Sequence, residues 1–164
     1  MSLFLIILAA GEGKRLKSGI PKPYNKINDI TLLEYSLYAF KNFSEIKKTI
    51  VVYNKKHKKY LNKLTLTNTL KVVGGKTRQQ STFNALNKIK KMNCKKILIH
   101  DSARPNPSKG LIKKIIHTLK KNHVVIPLIK INDAIKITKK KIVLNNLNRN
   151  NLKLAQTPQG FTFK

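Results

Sequence analysis

The sequence predicts an α/β domain: a Rossmann-like, mainly parallel sheet with helices on both faces, plus a protruding β-hairpin arm. Three observations lead there. Short continuous apolar runs, such as Leu3 to Leu8, have strand length and no alternation, as in strands covered on both faces. Segments with helical spacing and capping residues separate those runs. After Pro127 the alternation stops, and residues from about 130 to 150 read as a hairpin with no crossover helix.

The elements follow in order. Leu3 to Leu8 is the first buried strand. Thr31 caps a helix through about Asn42, with Glu34 in the capping-box position and Leu33, Leu37 and Phe40 on one face. Thr49 to Tyr53 is a strand, Lys55 to Leu64 a basic surface helix, and Leu70 to Val73 a short strand ending in Gly74-Gly75. Arg78 to Met92 reads as a helix with Phe83, Leu86 and Ile89 inward. Lys96 to His100 is the next strand, Ser108 to Lys121 the next helix, and His123 to Leu128 another strand. Lys130 to Val143 with the Asn-rich turn after it makes the hairpin, read either as an arm or as an ordinary sheet edge. No repeat or linker divides the 164 residues, so they are expected to form one domain.

Composition bounds the function. The 41% apolar share is that of a globular chain. The opening apolar run is too short to span a bilayer and lacks the features of a secretory signal, so no membrane association is expected. A single cysteine, Cys94, excludes an internal disulfide framework and suits a cytoplasmic setting. The net charge of +29 has two readings, a nucleic-acid footprint or lysines coating solvated faces. Lysines spread along the whole chain and the scarcity of aromatics favour the second, and small anionic ligands over specific nucleic acid.

The rare residues are more informative. Arginine occurs only at positions 15, 78, 104 and 149 of a chain that otherwise uses lysine. A guanidinium offers a planar fork of donors that an ammonium does not, so these positions mark places where lysine would not serve. After Glu45 the only carboxylates are Asp101 and Asp133, each following a short apolar strand. Either could hold a metal or a hydroxyl, or simply cap a loop and pair with a lysine.

Chemistry should gather at the carboxyl ends of the strands. Ala9-Ala10-Gly11-Glu12-Gly13-Lys14-Arg15 ends the first strand in small residues whose amides can approach and cradle phosphate oxygens. It is neither a Walker loop nor a dinucleotide fingerprint, and Pro21-Lys22-Pro23 follows, holding Lys22 in a defined segment. Gly74-Gly75-Lys76-Thr77-Arg78-Gln79-Gln80-Ser81 suits recognition of a base edge or ribose, or else is a turn in which Ser81 bonds local backbone. His100-Asp101-Ser102-Ala103-Arg104-Pro105 puts a carboxylate where a divalent cation bridging a triphosphate would lie. Arg104 is read as fixing its loop through backbone carbonyls, and His100 as a packed strand-end residue.

In this order AAGEGKR, PKPY, GGKTRQQS, HDSARP, DAIK and AQTPQGF span essentially the whole chain and resemble the 2-C-methyl-D-erythritol 4-phosphate cytidylyltransferase family of isoprenoid biosynthesis. The resemblance implies a nucleotide-diphospho-sugar transferase type of fold, magnesium (Mg2+) as cofactor, and a homodimer formed through the arm. It implies CTP and a sugar-alcohol phosphate, 2-C-methyl-D-erythritol 4-phosphate, as substrates, with pyrophosphate leaving. On the matched motifs, Arg15 and Lys22 stabilise the transition state. Ala9, Ala10, Gly11, Gly13, Gly74, Gly75, Ser81, Asp101 and Ser102 bind the nucleotide, Asp101 also contacting the metal. Arg149 and Thr157 position the second substrate, Arg149 in the site of its own or of the partner subunit. Departures are Pro23 for a glutamine, Ala134 for a threonine and Ser102 for an alanine. Family members continue past QTPQGF into a segment with a further substrate lysine, which these residues do not include. Rival readings are a ribitol 5-phosphate cytidylyltransferase and a non-catalytic nucleotide-binding remnant.

Overall fold

The computed structural model describes residues 2–13 and 19–163. Its strands are β1 (Leu3–Ala9), β2 (Lys26–Ile27), β3 (Ile30–Thr31), β4 (Ile46–Tyr53), β5 (Thr69–Val73), β6 (Lys96–Asp101), β7 (Val124–Val125), β8 (Leu128–Lys130), β9 (Ile135–Lys139), β10 (Ile142–Leu147), β11 (Lys153–Ala155) and β12 (Gln159–Thr162). The helices are α1 (Leu32–Phe40), α2 (Lys58–Leu61), α3 (Arg78–Ile89) and α4 (Lys109–Leu119). Six strands form one sheet in the order β5-β4-β1-β6-β12-β7. β5, β4, β1 and β6 run parallel, and β12 lies antiparallel between β6 and β7. The sheet is thus mainly parallel, as expected, and the arm stands apart as two-stranded pairs.

Strand β1 is the centre because every side chain in it is apolar and buried. Its alternate residues serve two cores. Leu3, Leu5 and Ile7 pack with Leu33 and Phe40 of α1 and Ile112, Ile115 and Leu119 of α4. Phe4, Ile6 and Leu8 pack with Ala85 and Ile89 of α3 and with Ile97 and Ile99 of β6. Helices therefore cover both faces, which explains the uninterrupted hydrophobicity of the strand. Thr31 starts α1 with the expected capping box, its hydroxyl accepting from Glu34 N at 3.2 Å while Glu34 Oε2 accepts from Thr31 N at 2.8 Å. Gly160 lets β12 lie under α4, since a Cβ there would sit 3.1 Å from Leu119 and 3.3 Å from Ile115.

Several expectations need correction. Phe83 is 58% exposed, because α3 turns Ser81, Ala85 and Ile89 inward and a residue two positions from that row faces away. The basic segment after Tyr53 is a short 3-10 turn (Lys55–His57) leading into one turn of helix, α2, rather than a helix to Leu64. The strand expected at His123 to Leu128 is broken into β7 and β8 around Ile126-Pro127, where proline supplies no ladder donor. The hairpin pairs β9 with β10, inside the expected range of about 130 to 150. Its turn is Lys140-Lys141, both at positive φ, and Asn145 and Asn146 lie within β10 instead of forming the turn. β8 and β11 pair at the base of this arm.

Candidate active site

The sheet order reverses at β1, whose neighbours β4 and β6 lead to opposite edges, so the loops after β1 and β6 flank a topological switch point. Register aligns Ala9 with Tyr53, Tyr53 with Val73 and Leu8 with Asp101, so four strands release their loops on one side. Ala9 is fully buried and floors the site. Ala10, Gly11 and Gly13 carry the chain outward, with Gly11 and Glu12 exposed. Gly13 has φ +63°, and a Cβ on it would lie 2.7 Å from Lys22 Cβ. Glycine is required twice there, for conformation and for contact.

Lys22 thereby sits directly against the first loop. It opens a 3-10 turn, Lys22–Tyr24, whose Tyr24 N donates to Pro21 O at 2.8 Å. Behind it Tyr24 is buried, stacked on Tyr60 at 5.4 Å and edge-on to His57 at 6.2 Å. Burial, with a smaller effect from Tyr53, pushes the Tyr24 phenol up to about 12, so it is neutral and acts as an anchor. Arg15 lies outside the described residues.

The second motif is packed onto the first. A Cβ on Gly74 would fall 2.5 Å from Ala10 Cβ and 2.9 Å from Ser81 Oγ, and Gly74 N donates to Tyr53 O at 2.8 Å. Gly75 N donates to Ser81 Oγ at 3.1 Å. Ser81 is buried, and its hydroxyl staples the turn in which it lies. Thr77 caps α3, accepting from Gln80 N at 3.1 Å.

Asp101 joins the third motif to its neighbours. Arg78 Nε donates to Oδ1 at 3.0 Å, and Arg104 Nε lies 3.7 Å from Oδ2. Arg104 also donates to Gln156 Oε1, so it fixes the loop through side chains and not through the backbone carbonyls expected of it. Ser102 is buried, its N donating to Leu8 O at 3.1 Å and its carbonyl accepting from Ser36 Oγ at 3.0 Å.

His100 is fully buried against Phe40. Its Nε2 donates to Arg104 O at 2.9 Å, which leaves Nδ1 to accept from the Thr157 hydroxyl at 3.0 Å. Thr157 Oγ1 lies 3.4 Å from Asp101 N, whose proton it accepts. Burial lowers the His100 pKa to about 4, so the ring is a neutral bracket, as expected, and no proton carrier near pH 7. Cys94 is buried and its thiol pushed up to about 11, which removes it as a nucleophile.

The structure thus brings Ala9, Ala10, Gly11, Gly13, Lys22, Gly74, Gly75, Ser81, Asp101, Ser102 and Thr157 to one side of the sheet. Arg149 is elsewhere, in the arm, donating to Asn132 O. It shares an open pocket with Ala134, Lys136 and Asn146, so the two arm positions singled out in the sequence meet. Arg78 was not among the expected site residues. Its signal was present, as one of only four arginines in a lysine-rich chain.

One carboxylate stands at the strand ends, and no group of three or more His, Cys, Asp or Glu capable of holding a metal occurs among the described residues. This donor set fits a magnesium ion that takes most of its oxygens from bound phosphates and water, with Asp101 as the protein's contribution.

Such loops at the switch point of a Rossmann-like sheet define an α/β domain of the class that binds its ligands at the strand ends. The family model described as 2-C-methyl-D-erythritol 4-phosphate cytidylyltransferase matches residues 3–164, and the chain belongs to this family. It is 45% identical, over its full length, to the bifunctional enzyme IspD/IspF of Pelagibacter ubique, of which it spans 44%. It is 31% identical to the 2-C-methyl-D-erythritol 4-phosphate cytidylyltransferase of Bacillus cereus, covering 96% of this chain and 71% of that protein. Among solved structures, the Francisella tularensis enzyme of that name superposes with a TM-score of 0.83 at 31% identity, over 99% of this chain and 73% of that one. The bifunctional IspDF of Campylobacter jejuni also gives 0.83, at 28% identity, over 99% of this chain and 41% of the other.

Proposed function

We propose that this chain carries the cytidylyl-transfer site that converts 2-C-methyl-D-erythritol 4-phosphate and CTP to 4-diphosphocytidyl-2-C-methyl-D-erythritol and pyrophosphate, in isoprenoid precursor biosynthesis. The observation that carries this reading is the approach of Lys22 to Gly13 at the switch point, in a chain of this family. A phosphate oxygen of the sugar phosphate attacks the α-phosphorus of CTP, and the bond from that phosphorus to the bridging oxygen of the β-phosphate breaks. The nucleophile is already anionic near pH 7, so no general base is required, in keeping with a neutral, buried His100. The obstacle is the meeting of like charges. Lys22, preset by Pro21, Pro23 and Tyr24, supplies a fixed cation at the first loop, and Arg15 is assigned the same work. Amides of residues 10 to 13 would receive phosphate oxygens, and the turn of Gly74, Gly75 and Ser81 the cytidine. Ser102 lines the nucleotide side as a buried support, and Thr157 acts through His100 and Asp101. A bound magnesium ion would neutralise triphosphate charge, with Asp101 as its protein contact.

The arm is proposed to pair with a second copy, placing Arg149 against the sugar phosphate in the partner subunit's site; its exposed Ile142, Val143 and Leu144 support a covered surface. The lone cysteine supports a cytoplasmic setting.

Release of pyrophosphate from CTP is the test, with methylerythritol phosphate and ribitol 5-phosphate offered separately. Turnover with the first alone is expected. Turnover with only the second would reassign the substrate, and CTP binding without turnover would point to the remnant. In an active chain, Lys22→Ala should cut turnover by about 100-fold or more while changing CTP affinity much less. Equal losses in both would remove Lys22 from the transition state.

A further inference from the structure

We propose that Arg78 is a positioning residue for Asp101, locking the turn that receives the nucleotide base to the loop that carries the carboxylate. This rests on the reading of Asp101 as a contact of the bound nucleotide. Arg78 is the first residue of α3, immediately after the Thr77 cap, and its guanidinium crosses to a different strand end to meet Asp101 Oδ1 at 3.0 Å. Arg104 also faces Asp101, but from three residues away and tied to Gln156, so it belongs to the loop that it steadies. The other motifs already have their links. Gly74 packs on Ala10 between the first and second, and Thr157 bonds His100 and Asp101 between the third and the AQTPQGF segment. Arg78 provides the connection between the second and third.

Its purpose is placement. The Arg78 side chain is 51% exposed and that of Asp101 29%, so the pair contributes little to folding stability. Yet two of the four arginines in the chain converge on this one carboxylate. A lysine in place of Arg78 would bring one mobile ammonium and no planar fork to hold the carboxylate in a single orientation.

The test uses the whole chain with Arg78→Gln, Arg78→Lys, Asp101→Asn and the Arg78→Gln/Asp101→Asn double variant. Magnesium-CTP affinity is read by calorimetry. Amide hydrogen exchange at residues 74–81 and 101–104 is read without nucleotide, and the melting temperature serves as control. Arg78→Gln is expected to weaken CTP binding about tenfold with a melting shift of no more than about 2 °C, and Arg78→Lys to recover little of the loss. On the Asp101→Asn background Arg78→Gln should cost nothing more. Wild-type affinity in Arg78→Gln, or losses that multiply in the double variant, would overturn the assignment. A wild-type chain with no CTP affinity would instead sink the cytidylyl reading. The link would then be judged on exchange alone: faster exchange in both segments in each single variant, and no further gain in the double, supports it, and unchanged exchange overturns it.

Discussion

The sheet and the arm are made of similar aliphatic residues and treat them in opposite ways. Ile6, Ile7, Ile50 and Val51 are fully buried, whereas Ile142, Val143 and Leu144 are 66%, 57% and 58% exposed. The difference lies in layering. The sheet has helices on both faces, and the two β-pairs of the arm have none, so they keep their shape by backbone pairing and a few side-chain bonds such as Lys136 to Asn146. One region buries its apolar side chains within the described residues. The other leaves three consecutive aliphatic side chains, Ile142, Val143 and Leu144, in solvent.

The largest effect that separates the two regions is truncation. Leu98→Ala, in the core, should cost about 3–5 kcal/mol in urea unfolding, while Leu144→Ala in dilute solution should stay within about 0.5 kcal/mol. Comparable losses would mean that the arm is packed as the sheet is.

Acid should act on the sheet through His100. The His100 pKa falls from 6.5 to about 4 on folding, so below pH 6.5 the unfolded chain gains a proton that the folded chain refuses. Stability present above pH 6.5 should therefore drain away by about 3 kcal/mol as pH falls to about 4. Urea midpoints measured across that window should show the slope, and His100→Gln should flatten it.

At the site, Gly13→Ala should cost about 1–2 kcal/mol from its φ alone and displace Lys22. Turnover should drop by more than the melting temperature implies; a purely proportional loss would deny the Lys22 contact a functional role. The smallest effect belongs to the arm. Replacing Lys140-Lys141 by Asn-Gly removes side chains that disfavour positive φ from a two-residue hairpin turn, and should stabilise the hairpin by up to about 1 kcal/mol. Slower amide exchange in β9 and β10 is the readout.

Legibility in the sequence followed the range of the forces involved. β1 and the α1 cap depend on local pattern and chemistry, and both stand where they were expected. The inward face of α3 stood for Ile89 and Leu86 but not for Phe83, because a phenylalanine draws more attention than the Ser81, Ala85, Ile89 row that packs. β12 was visible only as a motif, since four residues containing a glycine carry little strand signal and take their place from β6 and β7. The glycines of the site were legible as places for a ligand's approach and for a tight turn, but not as the points where Gly13 meets Lys22 and Gly74 meets Ala10. The Arg78–Asp101 pair spans 23 residues and two elements, so only the scarcity of arginine hinted at it.

The place of β12 also governs how the chain is made. Residues 159–162 reach the ribosomal exit after the entire arm, yet they fill a slot beside β6, a strand synthesised some sixty residues earlier. Until then the growing polypeptide displays the bare flank of β6, a vulnerable interval in which another nascent chain could zip onto it.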